Sequence, residues 1–150
     1  MPQPLELWYE FASTYSYLTV SRIEAVTEAA KVPLVWKPFL LGPIFKAQGW
    51  NDSPFNLFEA KGRYMWRDME RLCEGYGLAF QRPSAFPRNG LLAARVALVA
   101  HERGFGPGFS RAVYHANFAE DLDIGDTRVI AGLIESFEFE AGEILEAADH

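Results

Sequence analysis

The chain has 150 residues, 49% of them hydrophobic and 23% charged, a composition typical of a globular domain with a sizeable core. Its net charge of −6 argues against nucleic acid and against anionic membrane surfaces as main partners. No apolar run approaches the ~18 residues of a spanning helix, no signal pattern starts the chain, and the single cysteine, Cys73, excludes a disulfide framework, so we expect a cytoplasmic protein.

The first forty residues predict a strand, a helix and a second strand. Residues 5–11 are apolar and aromatic enough for a buried strand, residues 14–31 have a helical pattern, and residues 33–39 indicate another strand. Such a βαβ unit crosses over right-handed, so the two strands should pair in parallel. Glycine and proline at 42–43 and at 49–54 indicate loops on either side of a short helix or turn.

The rest of the chain has a helical pattern. One apolar stripe at helical spacing is formed by Met65, Met69, Leu72, Cys73 and Tyr76. Gly75 and Gly77 should end that helix. The almost wholly apolar run at 91–100 predicts a helix buried at the centre of the helical part, Thr127 can cap a short helix, and residues 138–148 predict a final one. We find no convincing third strand.

These elements predict an α/β fold with a small βαβ unit and a large all-helical insertion. We assign residues 1–40 to the N-terminal part of the sheet domain, 41–125 to the helical insertion, and 126–150 to a helical segment returning toward the sheet domain. Sheets usually contain ~4–6 strands, so two strands are few for an independent open sheet. Either the helices cover a very small sheet, or the chain stops before its remaining strands.

The turn between the first strand and the first helix contains the main candidate site. It reads Ser13-Thr14-Tyr15-Ser16, with the spacing that Cys-x-x-Cys has in thioredoxin-type folds. The turn cannot form a disulfide, but a hydroxyl beside the free N–H groups of a helix N-terminus can hold another molecule's thiolate, with glutathione as the main candidate. Ser13 could instead be a plain helix N-cap worth ~1 kcal/mol, and the turn alone leaves both roles open.

Three segments resemble the 2-hydroxychromene-2-carboxylate isomerases, which are related to kappa-class glutathione transferases and more distantly to bacterial thioredoxin-like thiol oxidases. They are residues 11–18 (Phe-Ala-Ser-Thr-Tyr-Ser-Tyr-Leu), 40–46 (Leu-Leu-Gly-Pro-Ile-Phe-Lys) and 61–68 (Lys-Gly-Arg-Tyr-Met-Trp-Arg-Asp). The resemblance implies a thioredoxin-like domain interrupted by a helical domain, glutathione as the cofactor and a small aromatic carboxylate as the substrate. We also expect a homodimer.

The resemblance assigns roles to three residues. Ser13 matches the family serine that hydrogen-bonds the glutathione sulfur, Lys61 matches a lysine that helps bind glutathione, and Asn51 matches an asparagine that contacts the peptide. Without the resemblance, Asn51 would be a turn residue and Lys61 a solvated cation, although a lysine at a helix start is badly placed for the helix dipole. The family often has proline where this chain has Thr14. No metal ligand set is expected.

In the reaction that the resemblance implies, a glutathione thiolate held by Ser13 adds to an unsaturated carbon of the chromene acid, the ring opens, a bond rotates, and glutathione is eliminated. Family chains continue past the position of His150 with a cis-proline segment facing the serine, two strands and a Gly-x-Asp-Arg-type stretch. We therefore expect part of a glutathione site and an unprotected sheet edge that another chain could complete. The alternatives are a kappa-like glutathione transferase or peroxidase, and a truncated, non-catalytic binding module.

Overall fold

The structure is a computed structural model that describes residues 2–150. Its elements in chain order are β1 (Leu5–Tyr9), α1 (Thr14–Ala30), β2 (Leu34–Pro38), α2 (Leu41–Ala47), α3 (Pro54–Leu57), α4 (Glu59–Tyr76), α5 (Leu91–Arg103), α6 (Gly106–Phe118), α7 (Thr127–Glu135) and α8 (Ala141–Ala148). This order confirms the predicted α/β fold with a large helical part. Among residues 2–150, no helix combines the length and the apolarity that crossing a bilayer requires.

The two strands pair in parallel, as the α1 crossover requires. β1 is shorter than predicted because the chain turns after Tyr9, and the carbonyl of Glu10 accepts the N–H of Ser13 at 3.0 Å. The prediction of a buried strand is wrong for one face. Tyr9 is fully buried against the helices, whereas Trp8 on the opposite face is 56% exposed. One side of the small sheet therefore carries the core contacts.

A single hydrophobic core joins the sheet to the helices. α5 lies at its centre and contacts β2, α6 and α8. Val96 and Ala97 are fully buried, as the apolar run predicts, but Leu98 lies on the solvent side and is exposed. Because the βαβ unit shares one core with the later helices, the boundaries drawn at residues 40 and 125 stay a prediction.

α4 carries the predicted apolar stripe, with two corrections at its end. Met69 and Cys73 are buried, but Tyr76 is exposed because it lies on the last turn, beyond the core. Gly75 lies inside the helix and does not end it. Gly77 ends it with a φ of 68°, a left-handed conformation that glycine adopts without a Cβ clash.

The starts of the last two helices also differ from the prediction. Asp126, not Thr127, caps α7, and its carboxylate accepts the N–H of Arg128 at 2.9 Å. Thr127 is the first helical residue, since the aspartate before it already satisfies that N–H group. α8 begins at Ala141, because Glu140 occupies the N-cap position and accepts a backbone N–H of the first turn.

Candidate functional site

A cavity of about 750 Å³ lies where β1 joins α1. Its walls come from the β1–α1 turn, from residues 40–46, from the loop at 49–53 with the start of α3, and from the loop at 86–90. Most of the lining is apolar and aromatic, formed by Leu40, Leu41, Pro43, Phe45, Trp50, Phe55, Phe86 and Pro87, and the charged lining residues are Glu10, Lys46, Asp52 and Arg88. A cavity of this size, apolar with a few polar groups, is typical of a small-molecule site.

Ser13 lies in the wall of this cavity, in the N-cap position of α1. Its φ of −83° and ψ of 122° are the extended values expected of an N-cap. Its hydroxyl nevertheless makes no capping hydrogen bond with any residue that the structure describes. The first turn of α1 contains no acidic residue to neutralise the positive end of the helix. The hydroxyl and the start of the helix are therefore available to an anionic ligand.

Thr14 adds a second hydroxyl to the same wall. It is 1% exposed and lines the cavity next to Ser13. Within residues 2–150, its Oγ1 is the one buried side-chain nitrogen or oxygen without a hydrogen-bond partner. A buried hydroxyl without a partner costs about 1–3 kcal/mol.

Glu10 is the cavity residue that the sequence reasoning missed. Its side chain is nearly buried, with Oε1 accepting the N–H of Leu41 at 3.2 Å and Oε2 accepting the N–H of Ala12 at 3.4 Å. Burial raises the pKa of Glu10 above its ordinary value, although these hydrogen bonds oppose the shift. The signal in the sequence is an acidic residue near the end of the apolar segment 5–11, which predicts only a strand position for Glu10.

The structure brings Asn51 to the same cavity as Ser13, but not Lys61. Asn51 is exposed in the loop at 49–53 and lines the cavity. Lys61 lies in the first turn of α4, with its Nζ 5.8 Å from the ring centroid of Phe55. Phe55 itself lines the cavity, whereas Lys61 does not. Its role as a glutathione ligand stays a prediction.

The two basic side chains of the cavity differ in their contacts. Arg88 is nearly buried, with Nη2 2.6 Å from Oδ1 of Asp121 and Nη1 3.0 Å from Oδ1 of Asn117. Lys46 on α2 is exposed and forms no ion pair with any of residues 2–150. Arg88 therefore holds its loop against α6, whereas Lys46 is free to meet an anionic group.

The thiol of the chain lies outside the cavity. Cys73 is buried on α4, and burial raises the pKa of its thiol, as expected of an inert core cysteine. In the part of the chain that the structure describes, no three histidine, cysteine or acidic side chains are grouped so that they could hold a metal ion. The polar groups that line the cavity are hydroxyls, side-chain amides, the carboxylates of Glu10 and Asp52, and the basic side chains of Lys46 and Arg88.

Several solved structures share this fold, and two of them illustrate the likeness. A 2-hydroxychromene-2-carboxylate isomerase superposes with a TM-score of 0.82 at 16% sequence identity, over 97% of this chain and 70% of that chain. A probable DsbA oxidoreductase from Streptomyces coelicolor superposes with a TM-score of 0.73 at 19% identity, over 97% of this chain and 67% of that chain. A search among curated proteins finds no match. At these identities the likeness establishes the fold alone.

The family comparison covers nearly the whole chain. The DSBA-like thioredoxin domain matches residues 4–150, from the start of β1 through α8. Ser13 and Ser16, at the start of α1, have the spacing of a Cys-x-x-Cys motif, and the one cysteine of the sequence, Cys73, lies elsewhere on α4. The chain belongs to the family of DSBA-like thioredoxin domains.

Proposed function

We propose that the protein is a glutathione-dependent isomerase of the 2-hydroxychromene-2-carboxylate type, which acts on a small aromatic carboxylate. The observation that carries the proposal is the hydroxyl of Ser13, which lies at the cavity wall in the N-cap position and makes no capping bond. Because the turn has serines at both positions of the dithiol motif, a reactive sulfur at this place has to come from a ligand.

Three features of the wall fit a bound thiolate. The Ser13 hydroxyl can donate a hydrogen bond to it, the N–H groups at the start of α1 favour negative charge, and the unpartnered Thr14 hydroxyl lies in the same wall. Hydrogen bonds and a helix N-terminus lower the pKa of a thiol from its usual ~8.5. Bound glutathione would supply a nucleophilic thiolate for reversible addition to an unsaturated carbon of the substrate, and the Ser13 hydroxyl and the start of α1 would hold that thiolate.

The remainder of the cavity fits a flat aromatic acid. The rings of Phe45 and Trp50 lie 5.8 Å apart on one side, and Phe86 belongs to another wall. These surfaces can bind an aromatic ring and exclude water from it. Lys46 is positioned at the same cavity to meet a carboxylate, and Asn51 offers an amide to a peptide.

The test follows glutathione through the reaction. The purified protein is mixed with 2-hydroxychromene-2-carboxylate and a substoichiometric amount of glutathione, and both the trans product and the free thiol are measured. We expect complete conversion, an unchanged thiol concentration and no conversion without glutathione. Conversion that does not depend on glutathione would contradict the proposal.

Two other outcomes would replace the proposal. Consumption of glutathione with chlorodinitrobenzene or a hydroperoxide, without isomerisation, would indicate a kappa-like transferase or peroxidase. Calorimetric binding of glutathione without turnover of any of these substrates would indicate a binding module. No heat of binding at millimolar glutathione would exclude the cofactor itself.

A further inference from the structure

A buried carboxylate connects segments on two sides of the cavity. Oε2 of Glu10 accepts the N–H of Ala12 in the β1–α1 turn, and Oε1 accepts the N–H of Leu41, the first residue of α2. We propose that Glu10 is a positioning residue, whose carboxylate fixes the turn that carries Ser13 relative to α2. Its consequence for turnover rests on the proposed function, but the link itself can be tested without a ligand.

The loop before α5 is shaped to admit this carboxylate. A Cβ atom at position 90 would lie 2.7 Å from Oε2 of Glu10, so no side chain fits there unless the carboxylate moves. Gly90 has a φ of −92°, which any residue can adopt, so the glycine is needed for space and not for conformation. A third segment of the cavity wall therefore packs directly on the Glu10 carboxylate.

The backbone of the same turn is held from the core side by α6. The hydroxyl of Tyr114 donates to the carbonyl of Glu10 at 2.7 Å, and the side-chain amide of Asn117 donates to the carbonyl of Phe11 at 3.1 Å. Because the backbone at residues 10–11 is anchored in this way, the Glu10 side chain extends from a fixed backbone position. A small displacement of the carboxylate oxygens therefore moves the N–H groups of Ala12 and Leu41, because the backbone of residues 10–11 does not shift with it.

A buried carboxylate at position 10 lowers the stability of the fold. Burial raises the pKa of Glu10, which means that the charged form is disfavoured relative to water, and no basic side chain among residues 2–150 pairs with it. A well-packed apolar side chain at position 10 would leave the fold more stable than the Glu10 carboxylate does. A carboxylate, however, has two oxygens that can each accept an N–H group from a different direction. The carboxylate of Glu10 therefore provides two hydrogen-bond acceptors for N–H groups that approach from different directions.

The NMR signals that report Glu10 have to be distinguished from the effects of other titratable groups around the cavity. Lys46 on α2, Asp52 in the loop at 49–53 and Arg88 in the loop before α5 line the same cavity, and the Tyr114 hydroxyl meets the Glu10 backbone. Asp52 has an amide partner of its own, because its Oδ1 accepts the N–H of Ser53 at 2.7 Å. The Ser53 amide is therefore an internal reference, bonded to a carboxylate of the same cavity other than Glu10.

The first experiment measures the link by NMR in the ligand-free protein. The amide shifts of Ala12 and Leu41 are followed against pH, and we expect one common midpoint above the ~4.3 of a free glutamate. Both titrations should disappear in Glu10→Gln, while the Ser53 amide shift should behave alike in the wild type and the variant. Separate midpoints for the two amides, or titrations that persist in Glu10→Gln, would overturn the proposal.

The second experiment asks whether the link positions Ser13. Since small misplacements at a reacting centre can cost up to ~100-fold in rate, we expect Glu10→Gln to lower kcat about tenfold and to change KM for the aromatic substrate less than about twofold. Gly90→Ala keeps the charge but displaces Oε2, and should lower kcat in the same way. Gly132→Ala, on α7 with nothing within 4 Å of the added Cβ, is the matched control without effect.

The two proposals fail in different ways. An unchanged kcat in both Glu10→Gln and Gly90→Ala, in a protein whose wild type turns over, would overturn the positioning role. A wild type inactive with glutathione would overturn the proposed function, while the NMR titration would still decide whether Glu10 holds the two amides. If Glu10→Gln does not fold, Gly90→Ala supplies both readouts, because displacing Oε2 should shrink the pH-dependent shift of the Ala12 amide and leave that of the Leu41 amide unchanged.

Discussion

The N-termini of α1 and α7 have similar N-cap residues, but only one of these residues makes a capping hydrogen bond. Each has a polar residue with extended backbone in the N-cap position. At α7 the carboxylate of Asp126 accepts a backbone N–H at 2.9 Å, whereas at α1 the hydroxyl of Ser13 makes no such bond within residues 2–150. The start of α1 also lines a cavity of about 750 Å³. A capping residue that does not cap, beside a cavity, is a candidate binding group.

The largest expected effect comes from removing the Ser13 hydroxyl. Because loss of one donor to a developing or bound anion typically costs about 10²–10³ in rate, we expect Ser13→Ala to lower kcat about 100-fold. No capping bond is lost, so Tm should change by less than ~2 °C. Steady-state kinetics measures kcat, and thermal unfolding measures Tm. A small kcat effect together with a loss of ~1 kcal/mol in the free energy of unfolding would make Ser13 an ordinary cap.

Asp126→Ala is the opposite case and should lower Tm by ~3 °C without changing kcat. Hydrogen bonds from the side chain and the backbone of Arg128 lower the pKa of Asp126 below its ordinary 3.8. Its ionised form therefore stabilises the fold above that value, and the stabilisation is lost as the pH falls through the lowered pKa. The Tm difference between wild type and variant should be present at pH 7 and shrink under acid conditions. A lowered kcat at pH 7 would break the comparison between the two helix starts.

Replacing Lys46 tests whether the cavity binds the acid group of the substrate. An exposed ion pair is worth about 0–1 kcal/mol, so Lys46→Ala should raise KM for the aromatic carboxylate about threefold and leave kcat unchanged. Lys46→Arg retains the charge and is the control, with a KM close to that of the wild type. The effect should weaken at high salt, because an exposed pair is screened. An equal rise in KM in both variants would show that the charge is not what matters.

The smallest expected effect contrasts two threonines of α1. Thr14→Val removes the unpartnered buried hydroxyl and should raise the free energy of unfolding of the ligand-free protein by about 0.5 kcal/mol, while weakening glutathione binding. In Thr27 the hydroxyl donates to the carbonyl of Ile23 at 2.9 Å, so Thr27→Val should be destabilising. Chemical denaturation measures both. Destabilisation by Thr14→Val would indicate that water already satisfies its hydroxyl.

The strands, their parallel pairing and most helices could be predicted because local patterns determine them. The end of β1 could not, since Phe11 is as apolar as a strand residue although it lies in the turn, where its side chain is buried in the core. The exposure of Trp8 could not be read from the strand either, because it depends on what covers the other face of the sheet. Apolarity alone does not distinguish these cases.

The candidate site was predictable only where its residues are close in the chain. The Ser13 turn stood out by its spacing, but Glu10 became visible only when the fold brought Leu41, 31 positions away, to its carboxylate. The same holds for Asn51 and Lys61, which the resemblance treated alike. The fold places Asn51 in the cavity wall and the Nζ of Lys61 over the Phe55 ring, a difference that sequence order does not contain.

The isolation of Cys73 has a practical consequence. It is the sole sulfhydryl in the sequence, it is 1% exposed on α4, and its pKa is raised by burial. An alkylating reagent can reach it only when the core opens, so the rate of its modification reports how often α4 separates from its neighbours. A thiol-blocking reagent that is removed before glutathione is added should therefore leave the cavity groups unmodified, while slow labelling of Cys73 measures the opening of the core.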